Sequence, residues 1–370
     1  MIRYYEGGAI PWVKSGELRE SLIVDTEERI TEAALKETSV RIVPSGSILL
    51  AMYGATVGRL AILGVEATTN QAVCHIVPNP EVAETRYLYR ALEAQVPKII
   101  ALGVGGAQPN ISQALVKSLE VPVPPLPEQR RLAAILDQAD DLRAHRRRAL
   151  AELDKLARAV FVEMFGELRS GSTRWPVRPL GDLMTDSTIG LVRSAEEFGP
   201  DFKVPYVRMN AIDRRGAFLP ELVQCTNVDL DEQQKFALKP GDLLFNTRNS
   251  RELVGKTALF REQGLYVFNN NLMRIRFGEA VHPEYIAAAF QTPFIQQELE
   301  TRKAGTTNVF AIYARELKTV PMPIPPSVTQ DAFAGRIQAI ESIKRMHRSA
   351  LVESDALFAS LQNRAFTGAL

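Results

Sequence analysis

The amino-acid sequence predicts a mixed α/β (α+β) protein in which two globular domains are joined by two long antiparallel coiled-coil helices. Two observations predict this class. The chain repeats itself once, and each copy passes from short β-rich apolar runs to one long amphipathic pattern. The 370 residues suit two medium domains, and the hydrophobic content of 46% supplies apolar material for a core in each.

The proline-rich segments give the clearest evidence of the repeat. Four residues of the first copy recur in step in the second, at an offset of 201 residues: Pro122, Pro124, Pro125 and Gln129 match Pro323, Pro325, Pro326 and Gln330. The same offset aligns Ile111 with Ile312, Asp154 with Asp355, and Phe165 with Phe366. Upstream the offset shrinks, as loop insertions would cause. There 10–14 match 204–208, 46–49 match 241–244, 57–59 match 254–256, and Asn70-Gln71 match Asn270-Asn271.

The two copies differ at the front. The second begins near Trp175, whereas the first has no counterpart to roughly the first two dozen residues of the second. Two explanations stay open: a shortened first copy, or a start upstream of Met1.

Each copy contains a globular part and then one long helix. Apolar runs at 47–51, 60–63 and 72–77 predict strands, with counterparts at 242–245, 257–260 and 272–277. Short helices are predicted at 84–94 and 284–291. Pro127 suits the first turn of a long helix and Gly166 its end, which gives about 57 Å for about 38 residues. The predicted division is 1–126, 127–166, 175–326 and 327–368.

Both long helices carry an apolar stripe at coiled-coil spacing. The residues predicted to pack are Leu132, Leu136, Leu142, Leu153 and Leu156 in the first, and Ile337, Ile340, Leu351 and Leu357 in the second. Because one such helix alone leaves its stripe in water, we expect the two to pair. Antiparallel pairing would place the globular domains at opposite ends.

Two related but non-identical domains held at a fixed distance suit a two-part linear target, and duplex DNA is the obvious candidate. The formal net charge of only +1 argues mildly against a nucleic acid, but local charge and a partner's charge matter more than the sum.

Four motifs carry a family resemblance that covers nearly the whole chain. They are Ile-Pro-Trp-Val-Lys-Ser-Gly at 10–16, Gly-Ala-Thr-Val-Gly at 54–58, Thr-Asn-Gln at 69–71, and Pro-Pro-Leu-Pro-Glu-Gln-Arg at 124–130 entering a long helix. With them the sequence resembles the specificity (S) subunits of type I restriction-modification systems. The resemblance implies two target recognition domains, each reading half of a split DNA site.

The resemblance also implies partners and cofactors. The long helices would dock two methyltransferase (M) subunits that methylate adenine, and restriction (R) subunits would join the complex. S-adenosylmethionine, ATP and Mg are then expected on those partner subunits and none on this chain.

The candidate DNA contacts lie in three sets. A turn of the second copy supplies Arg248, Asn249, Arg251 and Lys256, and its counterpart in the first supplies Tyr53, Thr56 and Arg59. A polar loop supplies Lys303, Thr306, Asn308 and Tyr313, matched by Gln108 and Asn110. Further candidates are Lys14, Arg208, Asn70 and Asn270. The alternatives are solvated hairpin tips, local backbone bonding by asparagine, and helix caps at Asn308 and Asn110.

The sequence points away from catalysis, metal binding and membranes. It holds no GxxxxGK[ST] phosphate loop, and its four histidines stand alone. The absence of a signal peptide or long apolar run and two widely spaced cysteines favour a cytoplasmic protein. The basic run of Arg143, Arg146, Arg147 and Arg148 is either a solvated face or a surface facing DNA or an acidic partner.

Two rival functions remain. One is a truncated subunit that binds M subunits but reads one half-site, or acts as a decoy or recombination partner. The other is a nuclease acting alone.

Overall fold

A computed structural model describes residues 2–19, 22–102, 110–169, 174–199 and 201–370. The chain forms two compact units. The first unit consists of Met1–Arg148 and His347–Leu370, and the second is Ala149–Met346. Each unit therefore contains one globular part and portions of both long helices. The four-part division expected from the sequence separates the globular parts from the long helices. That division stays a prediction.

The first unit contains seven short strands and three helices before the first long helix, within its described residues. They are β1 (Ile10–Val13), β2 (Leu22–Ile23), β3 (Glu28–Ile30), α1 (Glu32–Glu37), β4 (Ile48–Ala51), β5 (Leu60–Leu63), β6 (Thr68–Thr69), β7 (Val73–Ile76), α2 (Thr85–Leu102) and α3 (Gln113–Lys117). The long helix α4 (Leu126–Phe165) follows.

Two small sheets hold the first globular part together. Their strand orders are β2-β5-β4-β7 and β3-β1-β6. All four residues of the central strand β4 are buried, because one face packs on α2 and the other on the second sheet. The continuous apolar run at 48–51 is thus explained by burial on both faces.

The second unit contains twelve strands and four shorter helices in its described part. They are β8 (Val177–Pro179), β9 (Met184–Ile189), β10 (Val204–Val207), β11 (Gln224–Thr226), α5 (Leu230–Phe236), β12 (Leu243–Asn246), β13 (Arg248–Asn249), β14 (Thr257–Leu259), β15 (Val267–Phe268), β16 (Leu272–Phe277), α6 (Pro283–Phe290), α7 (Pro293–Glu300), β17 (Ala304–Thr306), β18 (Val309–Ala311), α8 (Ala314–Lys318) and β19 (Pro321–Pro323). The second long helix is α9 (Ser327–Thr367).

The main sheet of the second unit has the order β14-β12-β16-β9, and β12 occupies the central place that β4 has in the first unit. Three smaller sheets accompany it, β11-β10-β15, β13-β18-β17 and β19-β8. The strands predicted at 242–245, 257–260 and 272–277 are present as β12, β14 and β16. The other two- and three-residue strands were not predicted, because runs of that length carry no readable periodicity.

The predicted duplication is visible in individual side-chain contacts. Gln129 is fully buried, and its Nε2 donates to the carbonyl oxygens of Val82 and Pro124 at 2.9 and 2.8 Å. The Nε2 of its counterpart Gln330 donates to the carbonyls of Ala280 and Pro325 at 3.3 and 2.8 Å.

A buried tyrosine follows the same rule. The Tyr87 hydroxyl donates to the carbonyl of Pro122 at 2.9 Å, and the Tyr285 hydroxyl to that of Pro323 at 2.6 Å. In both copies, therefore, the proline-rich exit is fixed by the same two kinds of side chain.

One part of the sequence alignment was wrong by one residue. The backbone N–H of Asn70 donates to Val13 at 3.0 Å, and the residue that makes the same bond to Val207 is Asn269, at 2.9 Å. Asn70 therefore corresponds to Asn269, not to Asn270. Consecutive asparagines at 269–271 hid the difference in the sequence.

The two long helices pair antiparallel inside each unit. In the first unit the beginning of α4 packs on the end of α9 through Leu132, Leu136 and Phe358. In the second the end of α4 packs on the beginning of α9 through Phe161, Phe333 and Ile337. Both helices end before a glycine with positive φ, Gly166 at 75° and Gly368 at 74°.

The predicted apolar stripe is only partly buried. Leu132, Leu136, Ile337 and Ile340 lie in the core, and Leu153 and Leu351 are half-buried. Leu142, Leu156 and Leu357 are 53%, 48% and 50% exposed, so they lie outside the helix–helix cores, and their packing against a partner stays a prediction. Near these exposed residues the two helices are joined by ion pairs and not by apolar contacts. The apolar stripe of each helix is wider than the face that the other helix covers.

Candidate nucleic-acid interface

The sheet β13-β18-β17 brings together most of the candidate residues of the second unit. Arg248 of β13 pairs with Ala311 and Asn249 with Phe310. Strands β17 and β18 form a hairpin in which Thr306 faces Val309, so Thr307 and Asn308 form its tip. The loop predicted from the sequence is thus a β-hairpin. Tyr313, and not Asn308, is the N-cap residue of the following helix α8, so the alternative of a cap at Asn308 was wrong.

Neighbouring candidates Arg248 and Asn249 have different surroundings. The Nδ2 of Asn249 donates to the Oδ1 of buried Asn246 at 2.8 Å, and Asn246 in turn donates to the carbonyl of Asn271 at 3.0 Å. The Asn249 amide is therefore used inside the protein to fix the turn. Arg248 is exposed, and its side chain has no hydrogen bond or ion pair to any residue that the structure describes.

Glu300 ties the base of the hairpin to the turn. Its Oε1 accepts from the Nε of Arg251 at 3.0 Å, and its Oε2 lies 2.7 Å from the Nζ of Lys303. Lys303 also donates to the backbone carbonyl of Arg251 at 2.6 Å. Hydrogen bonding by Lys303, assisted by Arg251, lowers the pKa of the Glu300 carboxyl. Arg251 and Lys303 thus hold the hairpin in place, with part of their charge neutralised.

Lys256 has a structural role, which could not be predicted from the sequence. Its Nζ donates to the carbonyls of Met209 and Ile212, at 2.9 and 2.6 Å. Partial burial lowers the pKa of this ammonium group. The counterpart of Lys256 is Arg59, which is exposed and has no side-chain partner among the described residues.

The remaining candidates of the second unit lie on other surfaces. The guanidinium of Arg208 donates to the Oε1 of Gln224 at 2.9 Å and lies 5.8 Å from the ring centre of Phe198. Asn270 and Tyr313 are exposed. A sequence pattern could not separate these residues from those near the hairpin, because the distinction depends on which strands pair.

The first unit has fewer charged candidates. Lys14 is paired with Glu28, with 2.8 Å between Nζ and Oε1. Tyr53 is 40% exposed and forms a β-bridge with Asn110, while the hydroxyl of Thr56 donates to the Tyr53 carbonyl at 3.2 Å. Ser112 is the N-cap residue of α3, so a cap at Asn110 was wrong. Gln108 lies outside the described residues.

Asn70 and its counterpart Asn269 were difficult to interpret from sequence. Within the described part of the chain, the Oδ1 of each is buried and accepts no hydrogen bond. The backbone of each also carries the turn before β7 or β16, which supports a local structural role for these asparagines.

The basic run on α4 is partly neutralised within the first unit. Arg143 and Arg147 both contact Asp355, at 2.6 and 3.0 Å. The Nη1 of Arg146 lies 3.5 Å from the Nδ1 of His347, which does not cancel its charge. Arg148 is exposed.

Each unit also exposes two apolar side chains at equivalent places on the paired helices. In the first unit these are Leu142 and Leu357, 53% and 50% exposed. In the second they are Ile343 and Leu156, 40% and 48% exposed, which stand 201 positions from the first pair. The duplication thus leaves apolar side chains exposed at these four equivalent helix positions.

Two negative findings hold for the described ranges alone. No three residues among histidine, cysteine, aspartate and glutamate come together in a way that could hold a metal ion there. None of the helices in those ranges is long and apolar enough to cross a membrane.

Comparison with known proteins assigns the family. The family model described as the type I restriction modification DNA specificity domain matches residues 3–154 and 173–353, which is most of the chain in two copies. The chain belongs to this family.

Relatives differ in how much of them the chain matches. The type I restriction enzyme MjaIX specificity subunit of Methanocaldococcus jannaschii is 29% identical over 228 residues, which are 56% of this chain and 52% of that protein. The match thus spans about half of that relative's length. The type I restriction enzyme EcoKI specificity subunit of Escherichia coli K12 is 22% identical, across 100% of this chain and 84% of the relative.

A solved structure has the same fold. The crystal structure of a type I restriction-modification system S subunit from M. genitalium matches with a TM-score of 0.60 and 13% identity, covering 98% of this chain and 90% of that one.

Proposed function

We propose that the chain is the DNA sequence-recognition subunit of a type I restriction-modification complex, with each unit reading one half of a split target. One observation carries the proposal: the duplicated framework holds different side chains at equivalent positions, and at one of these positions the side chain is exposed in both units. Tyr53 stands where the second unit has Arg248, and Arg59 stands where it has Lys256. A common scaffold with different contact residues suits two half-sites of different sequence.

The proposed subunit does no chemistry itself. Its role is to position partner subunits on DNA, and S-adenosylmethionine, ATP and Mg would be bound by those partners. The family supports this division of labour, because its model describes a DNA specificity domain.

The recurring exposed apolar pairs support two methyltransferase subunits as partners. Leu142 with Leu357 and Ile343 with Leu156 flank equivalent ion pairs on the helices, so one kind of partner surface fits both places. Restriction subunits would join through the complex.

A binding selection tests the function. The chain, assembled with its cognate methyltransferase subunit, is mixed with duplexes containing a long random region, and the bound duplexes are sequenced. The proposal predicts an enriched motif with two defined halves separated by an unspecified spacer. No enriched motif from a stable complex would contradict it.

One observation favours a second candidate, a subunit that binds its partners but reads one half-site. In the second unit β9 covers the outer edge of β16, whereas no described strand pairs with the equivalent edge of β7 in the first. If this unit cannot hold DNA firmly, the same selection enriches a single half-site.

The stoichiometry is tested by native mass spectrometry. The wild-type chain should bind two methyltransferase subunits, and Leu142→Asp with Leu357→Asp should reduce this to one. The matched pair of changes, Ile343→Asp with Leu156→Asp, should also leave one. If either pair left two bound, the apolar surfaces would not be the docking sites.

A further inference from the structure

The hairpin of β17 and β18 is the most exposed ordered element of the second unit's candidate site. Ala304, Gly305 and Thr306 of β17 are exposed, as are Thr307 and Asn308 at the tip and Val309 of β18. A hairpin exposed on both faces gains little stability from its own packing. We refer to residues 304–311 as the ribbon.

The base of the ribbon is nevertheless firmly held. Ala311 is buried, and half-buried Phe310 packs on the main core of the unit. The guanidinium of Arg251 lies 5.6 Å from the centre of the Phe310 ring, and the ion pairs of Glu300 fix the other strand. A hairpin that is held at its base and exposed at its tip can insert into a binding partner.

At Gly305 the two strands of the ribbon are too close to leave room for a side chain. A Cβ added at Gly305 would lie 2.3 Å from the Val309 carbonyl oxygen and 2.7 Å from the Cα of Phe310. Only glycine fits at such an approach. The two strands of the ribbon therefore approach closely at Gly305, and the ribbon has the ordinary spacing of paired β-strands, about 4.8 Å.

The ribbon's exposed side chains have unused hydrogen-bonding groups. Thr306, Thr307 and Asn308 make no side-chain hydrogen bond to any residue in the described ranges, and Val309 is 54% exposed. Asparagine can donate to and accept from adenine, and the methyl groups of threonine and valine suit the thymine methyl group.

Positive charge is gathered beside the ribbon. Arg248 lies on the strand that pairs with β18, and Arg251 and Lys303 lie at its base. Glu300 neutralises part of that charge. Arg248 has no acidic partner among the residues that the structure describes, so its charge is not neutralised. The major groove of B-DNA is about 12 Å wide and admits a two-stranded ribbon.

We propose that the second unit reads its half-site by inserting the exposed end of the ribbon, residues 304–309, into the major groove, with Thr306, Thr307, Asn308 and Val309 against base edges and Arg248 on the flanking backbone. This rests on the proposed function and adds which element reads the bases and through which groove. Asn249 and Lys256 then support the ribbon from inside the protein and touch no base.

The binding selection described above is repeated with ribbon variants in the assembled complex. Asn308→Ala and Thr306→Val should each relax or change the consensus in one half of the motif and leave the other half as in the wild type. A bidentate asparagine contact corresponds to a loss of about 5- to 150-fold in discrimination at its base. The control is Gln234→Ala on α5, an exposed amide far along the chain, which should leave both halves unchanged.

Arg248→Gln supplies a second readout. It should weaken binding to all selected duplexes alike and reduce the slope of log affinity against log salt by about 1, without changing the consensus. An unchanged consensus with Asn308→Ala and Thr306→Val, from a wild type that gives two defined halves, would overturn the ribbon assignment alone. A wild type without any motif would overturn the proposed function instead.

Discussion

Arg143 of α4 and Asp355 of α9 join the two long helices within the first unit, with 2.6 Å between Nε and Oδ1. The residues 201 positions away make the same link in the second unit, where Lys344 lies 2.9 Å from Asp154. The cation comes from α4 in one unit and from α9 in the other. The duplication therefore extends to single ionic contacts between the helices.

The Arg143–Asp355 pair is expected to contribute modestly to stability. Asp355 is 43% exposed, so a double-mutant cycle with Arg143→Ala and Asp355→Ala should give a coupling energy of about 0.5–1 kcal/mol at low salt. The value should fall as salt is added, because exposed charges are screened. Urea unfolding of the four proteins measures it. A coupling near zero at low salt would show that the contact does not stabilise the helix pair.

Gln129 should contribute far more to the free energy of unfolding than Gln138, an exposed glutamine of the same helix. Gln129→Ala leaves the Glu84 N–H and two carbonyl groups without their buried partner, and should lower the free energy of unfolding by about 2–4 kcal/mol. Gln138→Ala, on the same helix but exposed, should change it by less than about 0.5 kcal/mol.

Hydrogen exchange followed by mass spectrometry measures the effect of Gln129→Ala within each unit. The amides of the first unit should lose protection, and Gln330→Ala should produce the equivalent loss in the second. Equal effects of Gln129→Ala and Gln138→Ala would contradict the assigned role.

Much of the fold could be predicted because it depends on patterns within single segments. The long helices, the central strands β4 and β12 and the duplication all carry such patterns. The candidate site could be predicted only as a set of residues. Whether a lysine reaches solvent depends on contacts between distant segments, and Lys256 donates to carbonyls more than forty residues away. The exposure of Leu142 likewise depends on which face the partner helix covers.

Tyr206 should make the second unit sensitive to alkaline pH. Burial raises its pKa to about 12, and its hydroxyl donates to the Leu191 carbonyl at 2.8 Å. A tyrosine in an unfolded chain ionises near pH 10, so the folded form keeps a proton that the unfolded form loses between about pH 10 and 12. The contribution of Tyr206 is complete below pH 10 and decreases by about 1.4 kcal/mol per pH unit within this window.

Comparison of wild type with Tyr206→Phe isolates this effect. The difference in their free energies of unfolding should shrink as pH rises from 10 to 12, since phenylalanine has no proton to lose. Tyr313→Phe, at a 57% exposed tyrosine of the same unit, is the matched control for loss of a hydroxyl group. A constant difference between wild type and Tyr206→Phe would contradict the raised pKa.

Arg59 and Lys256 occupy equivalent positions but should respond differently to substitution. Arg59→Gln should weaken DNA binding by the assembled complex and reduce the salt slope by about 1, because its exposed guanidinium is placed to contact a phosphate in the proposed complex. Lys256→Met should leave the salt slope unchanged and destabilise the second unit, since the carbonyls of Met209 and Ile212 lose their donor. Titrations at several salt concentrations distinguish the two. Identical salt slopes for the two variants would contradict the assignment.

A map of adenine methylation tests whether the two units read the two halves of a split target. The chain is expressed with its cognate methyltransferase subunit in a host that lacks adenine methylation, and the host DNA is sequenced by a method that detects N6-methyladenine. Recognition of a split target by two different units predicts methylation within a motif that has two defined, non-identical halves and a fixed unspecified spacer. Methylation at a single undivided sequence, or none from a stable complex, would show that the two units do not read a split target.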